Sequence, residues 1–279
     1  IDLGGTKIEG ALIHATGEIE HAFRVATPQR DYPATLGVLA QLVEKLDRLA
    51  EQVLPIGIAT PGTVSRVTGK MKNCNSTCLN GKALKEDLTD ILQRDIRLAN
   101  DADCFALSEA LGGAGEGMDT LFGVILGTGV GGGICYKGEL LQGINGIAGE
   151  WGHNPMPPVF DAMEPKIAEN KDCYCGRHNC IETYLSGPAF ERAYLLAACE
   201  DQPAAAIVQK TLSGDSGATA QLDRYQENLA AALATVINLL DPEVIVLGGG
   251  MSKIDSLYTE VPRRWLKYVF SDECQTVLR

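Results

Sequence analysis

The chain has 279 residues, 45% of them apolar, enough to bury a large core and better suited to two domains than to one. Its formal net charge is −12, from 24 Lys and Arg against 36 Asp and Glu, which leaves no broad basic face for a nucleic-acid backbone or an anionic membrane. The longest apolar stretch, 229–240, is shorter than the ~20 residues of a spanning helix and is interrupted by Thr235 and Asn238, so a cytoplasmic protein is expected.

In chain order, residues 1–13 read as a strand, a glycine turn and a second strand, with a third strand over 18–25. The chain starts abruptly, already inside the first of these. A helix with apolar residues at helical spacing follows over 34–52, then a buried strand over 56–59 that stops at Thr60-Pro61-Gly62. A polar stretch with Asn73, Asn75, Ser76 and Asn80 leads to a helix over 84–93, and a short strand over 96–99 delivers Asn100-Asp101-Ala102-Asp103 to a helix N-terminus.

From Leu121 the opening pattern returns. Val124-Ile125-Leu126 runs into Gly127-Thr128-Gly129 and a second strand, and Lys137-Gly138-Glu139-Leu140 stands beside the earlier Thr16-Gly17-Glu18-Ile19. This reads as an internal duplication of strand, glycine turn and strand, divided into domains at 1–113 and 114–279. The last third is mainly helical, including 219–240, apart from a buried strand over 244–247 that ends in Gly248-Gly249-Gly250.

Three strands therefore end in glycine turns, where backbone N–H groups can approach a phosphate closely. A single Gly-Gly-Thr turn is also an ordinary hairpin, but Asp2 just ahead of it is placed to hold Mg²⁺ through water while the turn holds phosphate. Neither a Walker A pattern nor a dinucleotide glycine fingerprint is present, which points away from P-loop and Rossmann folds. Taken alone Asp101 reads first as an N-cap and only second as a carboxylate at a strand end available for proton transfer; the flanking Asn100 and the other motifs reverse that order.

Nine cysteines is an odd number, and Cys173, Cys175 and Cys180 crowd into eight residues. Three soft ligands at that spacing suit a tetrahedral zinc completed by one histidine, His153 or the nearer His178; a disulfide would leave one thiol over. A zinc with four protein ligands has no open position and is structural.

The run Asp2-Leu3-Gly4-Gly5-Thr6-Lys7, Asn100-Asp101-Ala102, Gly127-Thr128-Gly129-Val130-Gly131-Gly132-Gly133, Gly149-Glu150-Trp151-Gly152-His153 and Cys173-Tyr174-Cys175-Gly176 to Cys180-Ile181-Glu182 resembles the ROK family of sugar kinases, in order and across nearly the whole chain. Within it, Asn73, Asn75-Ser76-Thr77, Leu79-Asn80-Gly81 and His153-Asn154-Pro155 resemble bacterial fructokinases of the manno(fructo)kinase type. Two departures stand out: Asn179 replaces the usual glycine, and the 155–172 segment, expected to be a surface loop, is longer than in many members. The resemblance also implies a closing helix beyond Arg279.

The resemblance implies an α/β protein of the actin-like, ribonuclease-H-like ATPase fold, two duplicated α/β domains with a cleft between them. It implies ATP and Mg²⁺ held by Asp2, Gly4, Gly5, Thr6, Lys7, Gly127, Thr128, Gly129, Gly248 and Gly249. Asp101 is the implied catalytic base, and Asn100, Asp101, Glu150, His153, Glu182, Gly62 and Asn75 the sugar-binding residues. It favours His153 over His178 as fourth ligand to a structural Zn²⁺ with Cys173, Cys175 and Cys180.

The expected reaction is transfer of the γ-phosphoryl of ATP to the C6 hydroxyl of a hexose, fructose first, by a homodimer. The alternatives are a kinase for glucose, mannose or an N-acetylated hexosamine and, from another class, a sugar-responsive transcriptional regulator. Acidic charge and the absence of a helix-turn-helix module ahead of Gly4 in this sequence count against the regulator.

Overall fold

The computed structural model describes residues 1–159 and 170–279, so the middle of the expected 155–172 loop, including Pro165, lies outside the described residues. The chain divides into two compact units. One comprises Ile1–Cys104 with Ile144–Gly146, the other Phe105–Gly143 with Ile147–Arg279.

In the first unit, β1 (Asp2–Leu3), β2 (Lys7–Ile13) and β3 (Ile19–Ala26) form the glycine-turn unit, followed by α1 (Tyr32–Ala50) and β4 (Ile56–Thr60). A small hairpin, β5 (Thr63–Val64) and β6 (Met71–Lys72), then leads to α2 (Leu84–Leu92), β7 (Ile96–Asn100) and the start of α3 (Asp101–Gly112). The boundary between the units falls inside α3, whose end lies just before the expected division at 113.

Helix α1 begins where the Asp31 side chain accepts the Ala34 N–H, with proline in its first turn, and it buries Leu39, Leu42, Val43 and Leu46. These pack with Leu3, Ile8, Leu12, Ile56 and Ile58 of the sheet into one apolar core. The strand order is β3-β2-β1-β4-β7. Strands β1, β4 and β7 run parallel, with Asp2 beside Ala59 and Thr60 beside Asn100, so their carboxyl ends, and the residues that follow them, share one edge.

The second unit repeats this plan. It contains β8 (Thr120–Leu126), β9 (Val130–Tyr136) and β10 (Glu139–Leu140), then α4 (Glu182–Leu185), α5 (Gly187–Ala198), α6 (Ala204–Leu212), α7 (Ser216–Leu240), β11 (Val244–Gly248), α8 (Leu257–Trp265) and β12 (Val277–Leu278). Its sheet order, β10-β9-β8-β11-β12, matches the first strand for strand: antiparallel pairs on one side of the glycine-turn strand and parallel pairs on the other.

The second core is larger, because α7 sets Leu222, Tyr225, Leu229, Leu233 and Ile237 against Phe190, Trp265 and the sheet residues Phe122, Val124 and Leu247. Strand β12 stands in the sheet where β7 stands in the first unit; at two residues it has no period to read in the sequence. Among the described residues no helix is long and apolar enough to cross a membrane.

Candidate active site

At the shared strand edge of the first unit, the Gly4 N–H donates to Lys7 O at 3.0 Å, closing the turn. Thr27 Oγ1 donates to Gly4 O at 2.7 Å and Gln29 Nε2 to Gly5 O at 2.9 Å, so the carbonyls of the turn are held from β3's side. Ser76 Oγ lies close over Gly5. Desolvation pushes the Asp2 carboxyl above its ordinary range.

Thr60, buried at the end of β4, donates from Oγ1 to Gly62 O at 2.9 Å and also reaches Ala99 O at 3.1 Å, joining the Gly62 turn to the strand that carries Asn100. Opposite it, the Asn80 side chain accepts the Cys74 N–H at 2.8 Å and donates to Cys74 O at 3.0 Å, a two-bond clamp across the loop that bears the exposed Asn75.

Asn100 and Asp101 follow β7 directly. The Asn100 Oδ1 accepts the N–H groups of Ala102 at 2.9 Å and Asp103 at 3.2 Å, which makes Asn100 the cap of α3. Asp101 is the first residue of the helix, and its Oδ1 accepts the Ala102 N–H at 2.8 Å. Burial pushes the Cys74 thiol up to about 12, with the charges of Cys78 and Asp101 adding. Burial likewise raises the Cys104 thiol, with Asp103, Asp101 and Asp2 adding, so Asp101 and Asp2 share one neighbourhood.

In the second unit the Gly149-to-His153 segment lies directly on the glycine run of β9. Gly149 has φ 87°, and a Cβ there would stand 2.4 Å from Gly132 O. Trp151 donates from Nε1 to Gly131 O at 3.0 Å, and its ring meets Phe122 edge-on in the core with centroids 5.7 Å apart. This anchoring presents Glu150 and His153 on either side of a buried tryptophan.

His153 is brought to the cysteine loop. One ligand atom from each of His153, Cys173, Cys175 and Cys180 lies within 4.8 Å of all the others. His153 Nδ1 is 3.5 Å from Cys173 Sγ, and the sulfurs of Cys175 and Cys180 are 3.7 Å apart. A tetrahedral zinc with ordinary bond lengths requires about 3.6 Å between nitrogen and sulfur and about 3.8 Å between sulfurs, so this donor set fits that ion. His178 instead pairs through Nδ1 with Asp172 at 2.7 Å and is not part of the cluster. Asn179 adopts φ 56°, the left-handed conformation that its replacement of glycine requires, and its side chain accepts the Lys171 N–H.

Two contacts at this site had no sequence signal beyond residue type. Tyr174 Oη is 3.0 Å from His153 Nε2, so the ring nitrogen facing away from the cysteines has a partner. Burial raises the Tyr174 hydroxyl above its ordinary range, with the charges of Glu182 and Glu150 adding, which sets Tyr174 among the expected sugar ligands of this unit. Glu182 Oε2 accepts the Val130 N–H at 3.0 Å, just after the Gly127-Thr128-Gly129 turn.

Gly127 N–H donates across that turn to Gly129 O at 3.0 Å, and Gly127 O accepts the Gly187 N–H at 2.9 Å. Gly248 is buried against the Phe105 ring, whereas Gly249 and Gly250 are exposed at the end of β11. The expected site residues thus form two groups. Asp2, the Gly4–Thr6 turn, Gly62, Asn75, Asn100 and Asp101 belong to the first unit, and the second glycine turn, Glu150, His153, the cysteines and Glu182 to the second.

Residues 1–279 match the family model described as the ROK family. The chain is 38% identical over 266 residues to an N-acetyl-D-glucosamine kinase of Yersinia pseudotuberculosis serotype O:1b, covering 94% of this chain and 86% of that protein. It is 35% identical over 272 residues to an N-acetylgalactosamine kinase of Shewanella sp., covering 97% of this chain and 87% of that one. Among solved structures, a ROK hexokinase from Thermus thermophilus superposes with a TM-score of 0.81 at 26% identity, covering 100% of this chain and 90% of that chain.

Proposed function

Because the chain belongs to the ROK family and is a sugar kinase of actin-like ATPase fold, we propose that it transfers the γ-phosphoryl of ATP to the C6 hydroxyl of an N-acetylated hexosamine, N-acetyl-D-glucosamine first. The observation that carries the choice of sugar is 38% identity across 94% of the chain to an N-acetyl-D-glucosamine kinase. The expectation of fructose rested on short motifs, and the relatives support the N-acetylhexosamine alternative over it.

In this reading Asp101 takes the proton of the attacking hydroxyl. Its place after a parallel strand, with the helix cap supplied by Asn100, supports that role. Asn100, Gly62, Asn75, Glu150, His153 and Glu182 bind the sugar in this reading; for His153 the nitrogen available to a sugar hydroxyl is Nε2, where Tyr174 Oη now stands, since Nδ1 faces the cysteines. Carboxylates suit a polyol because each accepts two hydroxyl hydrogen bonds, and a site built for them penalises a ligand that lacks them.

The turns Gly4-Gly5-Thr6-Lys7 and Gly127-Thr128-Gly129, with Gly248-Gly249, bind the nucleotide, and Asp2 is the carboxylate for Mg²⁺, which when bound neutralises charge on the phosphates. Zinc at His153, Cys173, Cys175 and Cys180 is structural, because the four protein donors complete a tetrahedron. A homodimer belongs to the same reading, and light scattering tests it.

The test of function is a coupled kinase assay over N-acetylglucosamine, N-acetylgalactosamine, glucose, mannose and fructose. The highest kcat/KM is expected for N-acetylglucosamine; a higher value for fructose overturns the choice of sugar while leaving the kinase standing.

A further inference from the structure

Glu182 lies two residues after Cys180, at the junction of the metal cluster and the second glycine turn. The segment between them is stiff. Thr183 donates to Cys180 O from both its backbone N–H and its Oγ1 at 2.8 Å, Ile181 N–H donates to Asn154 O at 2.9 Å, and Ile181 and Leu185 are completely buried.

The two carboxylate oxygens of Glu182 face different partners. Oε2 accepts the Val130 N–H at 3.0 Å, while Oε1 lies 3.9 Å from Cys173 Sγ. The carboxylate sits directly over the turn: a Cβ at Gly129 would stand 2.7 Å from Oε2. Five residues further on, Gly187 N–H holds Gly127 O from the same segment. The turn is thus gripped at both ends, by a side chain at Val130 and by backbone at Gly127.

We propose that Glu182 is a positioning residue for the nucleotide turn, holding Gly127-Thr128-Gly129 in its phosphate-binding shape before any sugar arrives, through Oε2, while Oε1 serves the sugar. The inference rests on the assignment of that turn to the nucleotide. It makes the metal loop a brace for the nucleotide side, since Cys180 fixes the segment from which Glu182 reaches. A charge-assisted bond to a backbone N–H is worth enough for its loss to weaken binding about tenfold or more.

The test is binding of the ATP analogue AMP-PNP with Mg²⁺ in the absence of sugar, by calorimetry, with zinc content measured on each protein. Glu182→Ala is expected to bind about tenfold more weakly or worse with its zinc retained, and Glu182→Gln, whose amide oxygen still accepts the Val130 N–H but without the charge, to bind more weakly than wild type and clearly more tightly than Glu182→Ala. Should Glu182→Ala not accumulate as folded protein, Glu182→Asp, one methylene short of Val130, takes its place with the same expectation. The proposal is overturned if the shortened variant binds AMP-PNP as wild type does and loses only sugar affinity, or if Glu182→Gln is as weak as Glu182→Ala. Wild-type protein that binds no AMP-PNP would sink the kinase reading itself, a distinct result.

Discussion

The Asn100 side chain accepts the backbone N–H of Asp103 at 3.2 Å, so the cap of α3 is Asn100 and Asp101 is the first residue inside the helix. In the proposed reading the two tasks that the sequence left joined at Asp101 thus fall to two neighbours, capping to Asn100 and proton transfer to Asp101. Asp101→Asn is expected to lower kcat by roughly 10²–10⁴ with the melting temperature nearly unchanged, because the amide cannot take a proton and the cap is untouched. Steady-state kinetics beside a thermal melt checks this, and a stability loss with kcat intact would return Asp101 to a structural role.

Asn100→Ala has the opposite signature in stability. Removing the acceptor for Ala102 and Asp103 is expected to cost about 1 kcal/mol, read from urea unfolding. Asn100→Asp keeps the acceptor and restores most of it, which separates capping from any sugar contact at this residue.

Purified protein is expected to hold about one zinc per chain by elemental analysis, and Cys175→Ser to lose it together with soluble yield, since ligation closes the loop. Protein stripped by a chelator and still fully folded, with unchanged ligand affinities, would contradict a structural metal.

Tyr174→Phe removes only the hydroxyl that meets His153 Nε2. Outer partners of a metal-bound imidazole orient the ring, so zinc affinity in a chelator competition is expected to fall about tenfold while the rest of the fold is kept. Unchanged affinity would mean that the packing of the buried Trp151 beside it is enough to aim His153.

Gly149→Ala tests the anchoring of the Glu150-to-His153 segment. Strain at φ 87° and a contact 2.4 Å from Gly132 O are expected to destabilise the second unit by about 1–3 kcal/mol or more, with sugar affinity falling further than nucleotide affinity. Urea unfolding and calorimetry with each ligand distinguish the two effects.

Much of this protein was legible because its chemistry is local in the chain. The turns at Gly4 and Gly127 announce themselves by glycine after an apolar strand, the duplication by recurrence of that pattern, and the candidate metal cluster by three cysteines in eight residues. The helix expected over 34–52 is Tyr32–Ala50, since its apolar spacing and the Asp31 cap are written in adjacent residues.

What the sequence determined by itself was the main strands and helices, the two glycine-turn halves and the candidate residue types for phosphate, metal and sugar, all set by dihedral preference and periodicity over a few residues. The tertiary structure alone decided which of these meet. It brought to the cysteines His153, which the family resemblance favoured and spacing alone left open with His178, gave the helix cap to Asn100, placed β12 beside β11, set Tyr174 on His153 and carried Glu182 to Val130, 52 residues away in the chain. Such pairings depend on how the sheet and the core around Trp151 and Ile181 pack, and burial of a common core is a property of the whole unit that no short window of sequence encodes.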